Sequence, residues 1–363
     1  MTDSGLRVGL VGPAPPPNGG MAMQTRQLGE LLAGEGVDVE MLATNAPYKP
    51  SWIEYFPVVR AVFRLLPYLC RSWRLAGRVD VIHMMANSGW SWQLFSAPVV
   101  WVAWLRRTPV IINYRGGEAL AYFRQSFARV KPTVEKASNV VVPSGFLQQV
   151  FADFGLDVSV IPNIINLERF TPGAQVKDSE LYTLVVARNL EPIYGIETAI
   201  KAVSLVQQDI PEIHLMVAGS GPQREELEAL VRSLALQSKV EFLGRLEPHD
   251  MALLYQRADA MLNPANVDNM PNSILEAMAC AVPVISTDVG GVPFVVKHEV
   301  TALLVPAADE RGMADAIKRL YLDRELGQGL ARAGIEDVRQ YAWSEVKDQW
   351  LGLYQKAVAG EDR

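Results

Sequence analysis

Asp268 and Glu276 are acidic residues eight apart in the stretch NPANVDNMPNSILEAMACAVPVISTDVGG, which covers 263–291. Between them, Met270, Pro271, Asn272 and Ser273 read as a loop entering a helix, with ILEAMACA apolar at helical spacing behind them. Asn272 or Ser273 can cap the start of that helix. A helix N-terminus carries free backbone N–H groups and the positive end of the helix dipole, so it suits a phosphate. Glu276 sits one turn inside, where a carboxylate can accept hydrogen bonds from two ribose hydroxyls. Asp268 lies on the approach loop, near whatever the phosphate carries. The spacing therefore suits an anionic nucleotide joined to a polyhydroxylated group.

Other candidates are scattered along the chain. The loop GPAPPPNGG at 12–20 follows an apolar strand pattern and precedes a helix. Gly19 and Gly20 there let the backbone approach a ligand, or simply make a turn. In IINYRGGE (111–118) a strand ends at Asn113, which leaves Arg115 at its carboxyl end. Arg115 can brace a phosphate or bond sugar oxygens, or it is a surface arginine beside a glycine turn. His83 ends a strand and reads as packed or capped, and His249 begins a helix and caps it or faces solvent. No Cys/His cluster has metal-ligand spacing, so no metal and no cofactor are expected.

The elements that must position these residues come in two alternating series. Strands are expected at 7–11, 37–42, 79–83, 110–113 and 140–143, then at 182–187, 214–218, 240–243, 260–263, 282–286 and 302–305. Helices lie between them, for example over 21–36, 195–208 and 223–235. Such βαβ alternation predicts parallel sheets with helices on both faces. The stretch 161–180 breaks the pattern with Pro, Asn and polar residues. The expected organisation is a first Rossmann-like domain at 1–170, a linker at 171–180 and a second domain at 181–342. Open α/β sheets bind ligands at the carboxyl ends of their strands, so the ligand site is expected in the cleft between the two domains.

Composition bounds the rest. The 363 residues are 49% hydrophobic, enough for two domains without staples. The net charge of −6 argues against bulk nucleic-acid binding. Cys70 and Cys280 read as two packed thiols in a reduced compartment. No run of 18 apolar residues occurs and no secretory signal is visible, which points to a cytoplasmic protein. The segment 52–78 combines aromatics with five arginines and one acid, Glu54. It is either a peripheral contact with an anionic inner membrane face or a helix pair packed in the first domain with its arginines solvated. Trp90, Trp92, Trp101 and Trp104 either extend an apolar acceptor surface or pack in the core, and core packing is expected for most.

The stretch around Asp268 and Glu276 resembles the acidic-x7-acidic signature of family 4 retaining glycosyltransferases, followed here by EAMACAVPV and TDVGG. The segments VVPSGFLQQVFADFG, VSVIPNIINLERF, VAGSGPQREELE, VEFLGRL and ADAMLNPA also resemble that family, and AWSEVKDQWLGLY resembles its final helix, which returns to the first domain and joins 343–363 to it. The resemblance implies a GT-B fold of two facing Rossmann-like domains. It places the Gly19–Gly20 loop across from the donor phosphates and Arg115 in the slot of a histidine that contacts the donor sugar. Arg245 and Leu246 fall where the family's backbone binds the base.

This chain departs from the family in VVARNLEPIYGIETA. The family has Arg and Lys directed at the pyrophosphate, whereas an ungapped match sets Asn189 and Tyr194 in those slots. A one-residue insertion restores Arg188 as the phosphate ligand, but Tyr194 still replaces the lysine.

The implied activity is transfer of a sugar from a nucleotide-diphosphate donor to a glycan or lipid-linked acceptor, with retention and without metal. Asp268 would bind sugar hydroxyls, and Arg188 with Arg115 would offset leaving-group charge. A GT-B sugar-nucleotide epimerase and a non-enzymatic sugar-nucleotide-binding protein are the competing readings. A dehydrogenase is weaker, because no GxGxxG follows the first strand.

Overall fold

The computed structural model describes residues 5–16, 19–46, 57–173 and 180–361, the side chains of 57–62 excepted. The chain divides into two compact units, 1–164 with 346–363, and 165–345. The first contains β1 (Arg7–Gly12), α1 (Gly20–Gly34), β2 (Asp38–Ala43), α2 (Pro57–Ala76), β3 (Val81–Ala86), α3 (Ala97–Arg106), β4 (Val110–Tyr114), α4 (Ala119–Val134), β5 (Asn139–Val142), α5 (Gly145–Asp153) and β6 (Ser159–Val160). Its sheet runs β2-β1-β3-β4-β5-β6, with every pairing parallel. Every residue of β3 and β4 is buried, as expected for strands covered on both faces.

The second unit contains β7 (Tyr182–Ala187), α6 (Ile196–Val206), β8 (Ile213–Ala218), α7 (Arg224–Ser233), β9 (Val240–Gly244), α8 (Pro248–Arg257), β10 (Ala260–Asn263), α9 (Asn272–Ala279), β11 (Val284–Thr287), β12 (Leu303–Val305), α10 (Glu310–Leu322) and α11 (Arg324–Val338). Its parallel sheet runs β12-β11-β10-β7-β8-β9. Strand order reverses between β7 and β10, which opens a crevice at their carboxyl ends. Asp309 and Asp323 cap α10 and α11 by accepting from Gly312 N and Leu326 N, each at 2.9 Å and each contributing about 1 kcal/mol. The last helix, α12 (Trp343–Ala359), belongs to the first unit from Val346 onward.

The alternation read from the sequence is present, two six-stranded parallel sheets flanked by helices, with differences that have local causes. β6 was not expected, because two residues carry no periodicity. β11 starts at Val284 rather than 282, since Pro283 has no N–H to give a ladder. The division between units falls at 164/165. Residues 165–173 pack with the second unit, where Phe170 lies on Tyr255 and Thr171 O accepts from Gln256 Nε2. Of the 171–180 segment, 174–179 lie outside the described residues.

Of 52–78, residues 52–56 also lie outside. The remainder forms one 20-residue helix, α2, rather than a helix pair. Two further expectations are corrected. Cys70 is exposed, and Cys280 alone is buried. Only Trp92 among the four tryptophans is in the core, while Trp90, Trp101 and Trp104 are exposed.

Candidate active site

Arg188 is the first residue beyond β7, at the strand reversal. Its backbone N–H extends the ladder to Ala218 O at 3.0 Å. The side chain is held on three sides. Nε donates to Asn263 Oδ1 at 2.9 Å, and Asn263 Nδ2 donates onward to Ser286 Oγ at 2.9 Å. Nη2 forms a salt bridge with Asp268 Oδ2, in which both side chains are only 11% exposed. The Tyr194 ring lies beneath the guanidinium, with its centroid 5.2 Å away. A planar cation so fixed by charge-assisted bonds and an aromatic face is preorganised. Burial pushes the Asp268 carboxyl above its ordinary range, and the Arg188 charge opposes that shift.

The loop carrying Asp268 is set by the TDVGG turn. Gly291 N donates to Asp268 O at 2.9 Å. A Cβ on Gly291 would overlap the carbonyl of Asn269, so glycine is required for this approach.

α9 follows this loop. Its cap is Pro271, in extended conformation and with no side-chain hydrogen bond, so neither Asn272 nor Ser273 caps the helix as expected. A proline there fixes the chain's entry but has no oxygen to accept from the first turn. Ser273 Oγ is buried without a hydrogen-bond partner. Met270 and Pro271 are buried. The helix presents Ile274, Leu275, Ala277 and Met278 to the core, which leaves Glu276 half-buried on the other side. Glu276 Oε2 accepts from Tyr255 Oη of α8 at 3.2 Å. Burial raises the Glu276 carboxyl to about 7, against the pull of the Tyr255 hydrogen bond and the Arg188 and Arg169 charges. Tyr255 is pushed well above its ordinary value, first by burial and then by the Glu276 charge, so it stays a donor.

The structure thus brings Arg188, Asp268, Glu276 and the 270–273 segment to one end of the second sheet. Asn189, next to Arg188, donates from Nδ2 to Glu191 Oε1 at 3.3 Å. Arg245 is exposed just past β9, after Gly244 at φ +72°, and Leu246 packs partly on the core. His249 is exposed on α8, whose cap is Glu247, so it does not cap the helix.

In the first unit, Gly19 caps α1 and Gly20 begins it, with no side-chain cap and no acid in the first turn. A Cβ on either would meet nothing within 4 Å. Arg115 lies just beyond β4, where Nε donates to Asn113 Oδ1 at 3.1 Å and Nη1 to Asn163 Oδ1. Burial lowers the Arg115 guanidinium to about 10, which leaves it cationic at neutral pH. Sequence reasoning missed Asn263, Tyr255, Asn113 and Asn163. The only signal is that Asn113 and Asn263 are polar residues at or near the carboxyl ends of buried strands. Among the described residues no three His, Cys, Asp or Glu side chains cluster as a metal site requires.

The family model for glycosyl transferases group 1 matches residues 169–337, and that for glycosyltransferase family 4 matches 18–169. A D-inositol 3-phosphate glycosyltransferase of Saccharomonospora viridis is 29% identical over 54% of this chain and 49% of its own length, so the match spans about half of that relative. A protein of the same name from Segniliparus rotundus is 25% identical over 94% of this chain and 85% of its own. The phosphatidyl-myo-inositol mannosyltransferase of Mycobacterium leprae is 25% identical over 96% of both chains. Among solved structures, a sucrose-phosphate synthase from Thermosynechococcus elongatus aligns with TM-score 0.81 and 24% identity over 98% of this chain and 100% of its own. The Anabaena protein HepE, solved with UDP, aligns with TM-score 0.76 and 18% identity over 97% and 100%. With two Rossmann-like units, an acidic pair beside a helix start and family models matched over both units, the chain belongs to the group 1, family 4 glycosyltransferases of GT-B fold.

Proposed function

We propose that this enzyme moves a hexosyl group from a nucleotide-diphosphate sugar to a glycan or lipid-linked acceptor, with retention and without a metal ion, in polysaccharide or glycolipid assembly. The observation that carries the reading is the gathering of Arg188, Asp268 and Glu276 beside the uncapped start of α9. Glu276 accepts from ribose hydroxyls, and the N–H groups of Met270 to Ser273 hold the diphosphate. Asp268 binds hydroxyls of the donor sugar. The backbone at Arg245 and Leu246 holds the base, and the bare backbone at Gly19 and Gly20 serves the phosphates. Arg188 and Arg115 offset charge as the anomeric carbon–oxygen bond to the diphosphate breaks. The acceptor oxygen bonds the anomeric carbon on the face the diphosphate leaves, so configuration is kept. The relatives' names and the UDP-bound HepE support a nucleotide-sugar donor and an inositol- or lipid-type acceptor. They do not favour an epimerase or a non-enzymatic binding protein.

A surface of the first unit supports a lipid-linked acceptor. Phe63, Leu66, Cys70 and Trp73 form an exposed stripe on α2, spaced by three and four residues. α3 adds exposed Trp101, Trp104 and Leu105. Cations interleave with the rings: Arg106 lies 5.0 Å over Trp73, and Lys136 lies 5.8 and 4.7 Å over Trp101 and Trp104. Arg71 and Arg74 line the adjoining face of α2. No described helix is long and apolar enough to cross a membrane. The patch fits peripheral contact with the anionic cytoplasmic face of a bilayer.

The test is a thermal-shift screen of nucleotide sugars, then transfer assays with the stabilising donor. Transfer that survives EDTA and a product with the donor's anomeric configuration are expected. Total loss with EDTA, reversed by magnesium or manganese, would overturn the metal-free reading, and an inverted product would overturn retention.

A further inference from the structure

A chain of side chains inside the first unit connects α12 to Arg115. Tyr354 Oη lies 2.7 Å from His83 Nδ1, and His83 Nε2 lies 3.0 Å from Asn113 Nδ2. Asn113 Oδ1 receives Arg115 Nε at 3.1 Å, and Arg115 Nη1 ends on Asn163 Oδ1. His83, Asn113 and Tyr354 are each fully buried, and Trp350 packs on the imidazole with centroids 4.6 Å apart.

The direction of every bond follows from the arginine, which only donates. The Asn113 atom facing Arg115 is therefore the amide oxygen, and the amide nitrogen faces His83. An N–H pointing at Nε2 requires a bare lone pair there. Nδ1 then carries the imidazole proton and donates it to Tyr354 Oη. Burial, then the Arg115 charge, lowers the His83 pKa to about 3, so the ring is neutral at any working pH. The other tautomer would turn the Asn113 amide and set its N–H groups against Arg115 Nε.

We infer that His83 and Tyr354 are positioning residues for Arg115: α12 fixes the imidazole tautomer, which fixes the Asn113 amide, which aims the guanidinium. The inference rests on the reading above that Arg115 offsets leaving-group charge. A guanidinium held from one side by Asn113 and from the other by Asn163 has its plane, and so the place of its charge, fixed. Tyr354 touches no substrate in this scheme, so its removal acts through geometry alone.

Tyr354→Phe deletes the acceptor for Nδ1–H and leaves the hydrophobic contacts in place. Its kcat should fall roughly tenfold while donor KM stays within about twofold, since a small misplacement of a charge-stabilising group costs rate before binding. Arg115→Ala should lose more, and adding Tyr354→Phe to it should cost nothing further. Additive losses would mean that Tyr354 only stabilises the fold, and the inference would fail. An impaired Arg115→Ala beside a full-rate Tyr354→Phe would sink this inference alone. A full-rate Arg115→Ala would sink the parent reading and this inference with it. Should Tyr354→Phe not fold, nitrogen-15 NMR of the unsubstituted protein decides. The His83 signal, assigned by replacing His214, His249 and His298 in turn, should show a proton on Nδ1 and none on Nε2. A proton on Nε2 would overturn the chain as drawn.

Discussion

Glu276, as the proposed ribose ligand, meets two opposed demands, since its carboxylate accepts hydroxyl hydrogen bonds best when ionised and a buried carboxyl prefers to be neutral. Its folded pKa of about 7 stands above the ordinary 4.5. The groups that face it are Tyr255, Cys280, Arg188 and Arg169. Between these two pH values the folded protein binds the extra proton, so stability falls as pH rises through the window and the penalty is complete above about 7. Glu276→Gln should therefore melt higher than the natural protein at pH 8, with the gap closing by about pH 4.5. A gap independent of pH would show that Glu276 does not titrate in that window. Donor binding should move the other way, tightening as pH rises through 7. Glu276→Ala should lose roughly 1.5–3 kcal/mol of donor affinity in calorimetry, the scale of a charge-assisted hydrogen bond. Tyr194 makes a second residue-scale case. Its ring supports Arg188, so Tyr194→Phe should keep donor affinity. Tyr194→Leu should weaken it by about 0.5–2 kcal/mol, the range of a cation–π contact. Equal behaviour of the two variants would remove the ring contact from the account.

At the scale of elements, the TDVGG turn shows how a loop with no chemistry of its own places one that has it. Gly291→Ala should displace the Asn269 carbonyl and with it Asp268, since backbone rather than a flexible side chain is in the way. A loss of about 1–3 kcal/mol in denaturant unfolding, with weakened donor binding, is expected. Unchanged stability would mean that the loop yields cheaply. The strands and the paired acids were legible because each is a local pattern: apolar runs bounded by turns, and two carboxylates around a helix start. The partners that hold them were not. Asn263 reaches Arg188 across 75 residues of sequence and Tyr255 reaches Glu276 across 21, and no period links such positions. The cap failed for a different reason. Asn272 and Ser273 are good capping types, but the helix starts one residue earlier on Pro271, which puts both inside it. The tryptophans of α3 were misread because the run from Ala97 to Leu105 is apolar on every side of the helix, so its spacing does not tell which side is buried.

At the scale of the whole molecule, charge and exposed apolar surface are distributed unevenly. The chain carries a net −6, yet the α2–α3 face gathers arginines, Lys136 and exposed tryptophans. A soluble domain rarely leaves so many large apolar side chains together without a partner. Rings seat at the boundary between headgroups and acyl chains, and the cations add about 1 kcal/mol each near an anionic surface, less as salt rises. Binding to vesicles containing anionic lipid should thus be reversible, stronger than to neutral vesicles and weakened by salt. Trp73→Ala with Trp104→Ala should reduce it even at low salt, because ring burial is lost. Arg71→Gln with Arg74→Gln should reduce it mainly on anionic vesicles, because only the charge is lost. Neither pair touches the residues assigned to the donor, so transfer to a soluble acceptor analogue should hold while transfer to a lipid-borne acceptor falls. Equal recovery in the supernatant from anionic and neutral vesicles at low salt would reduce this face to solvated surface and point to a soluble acceptor.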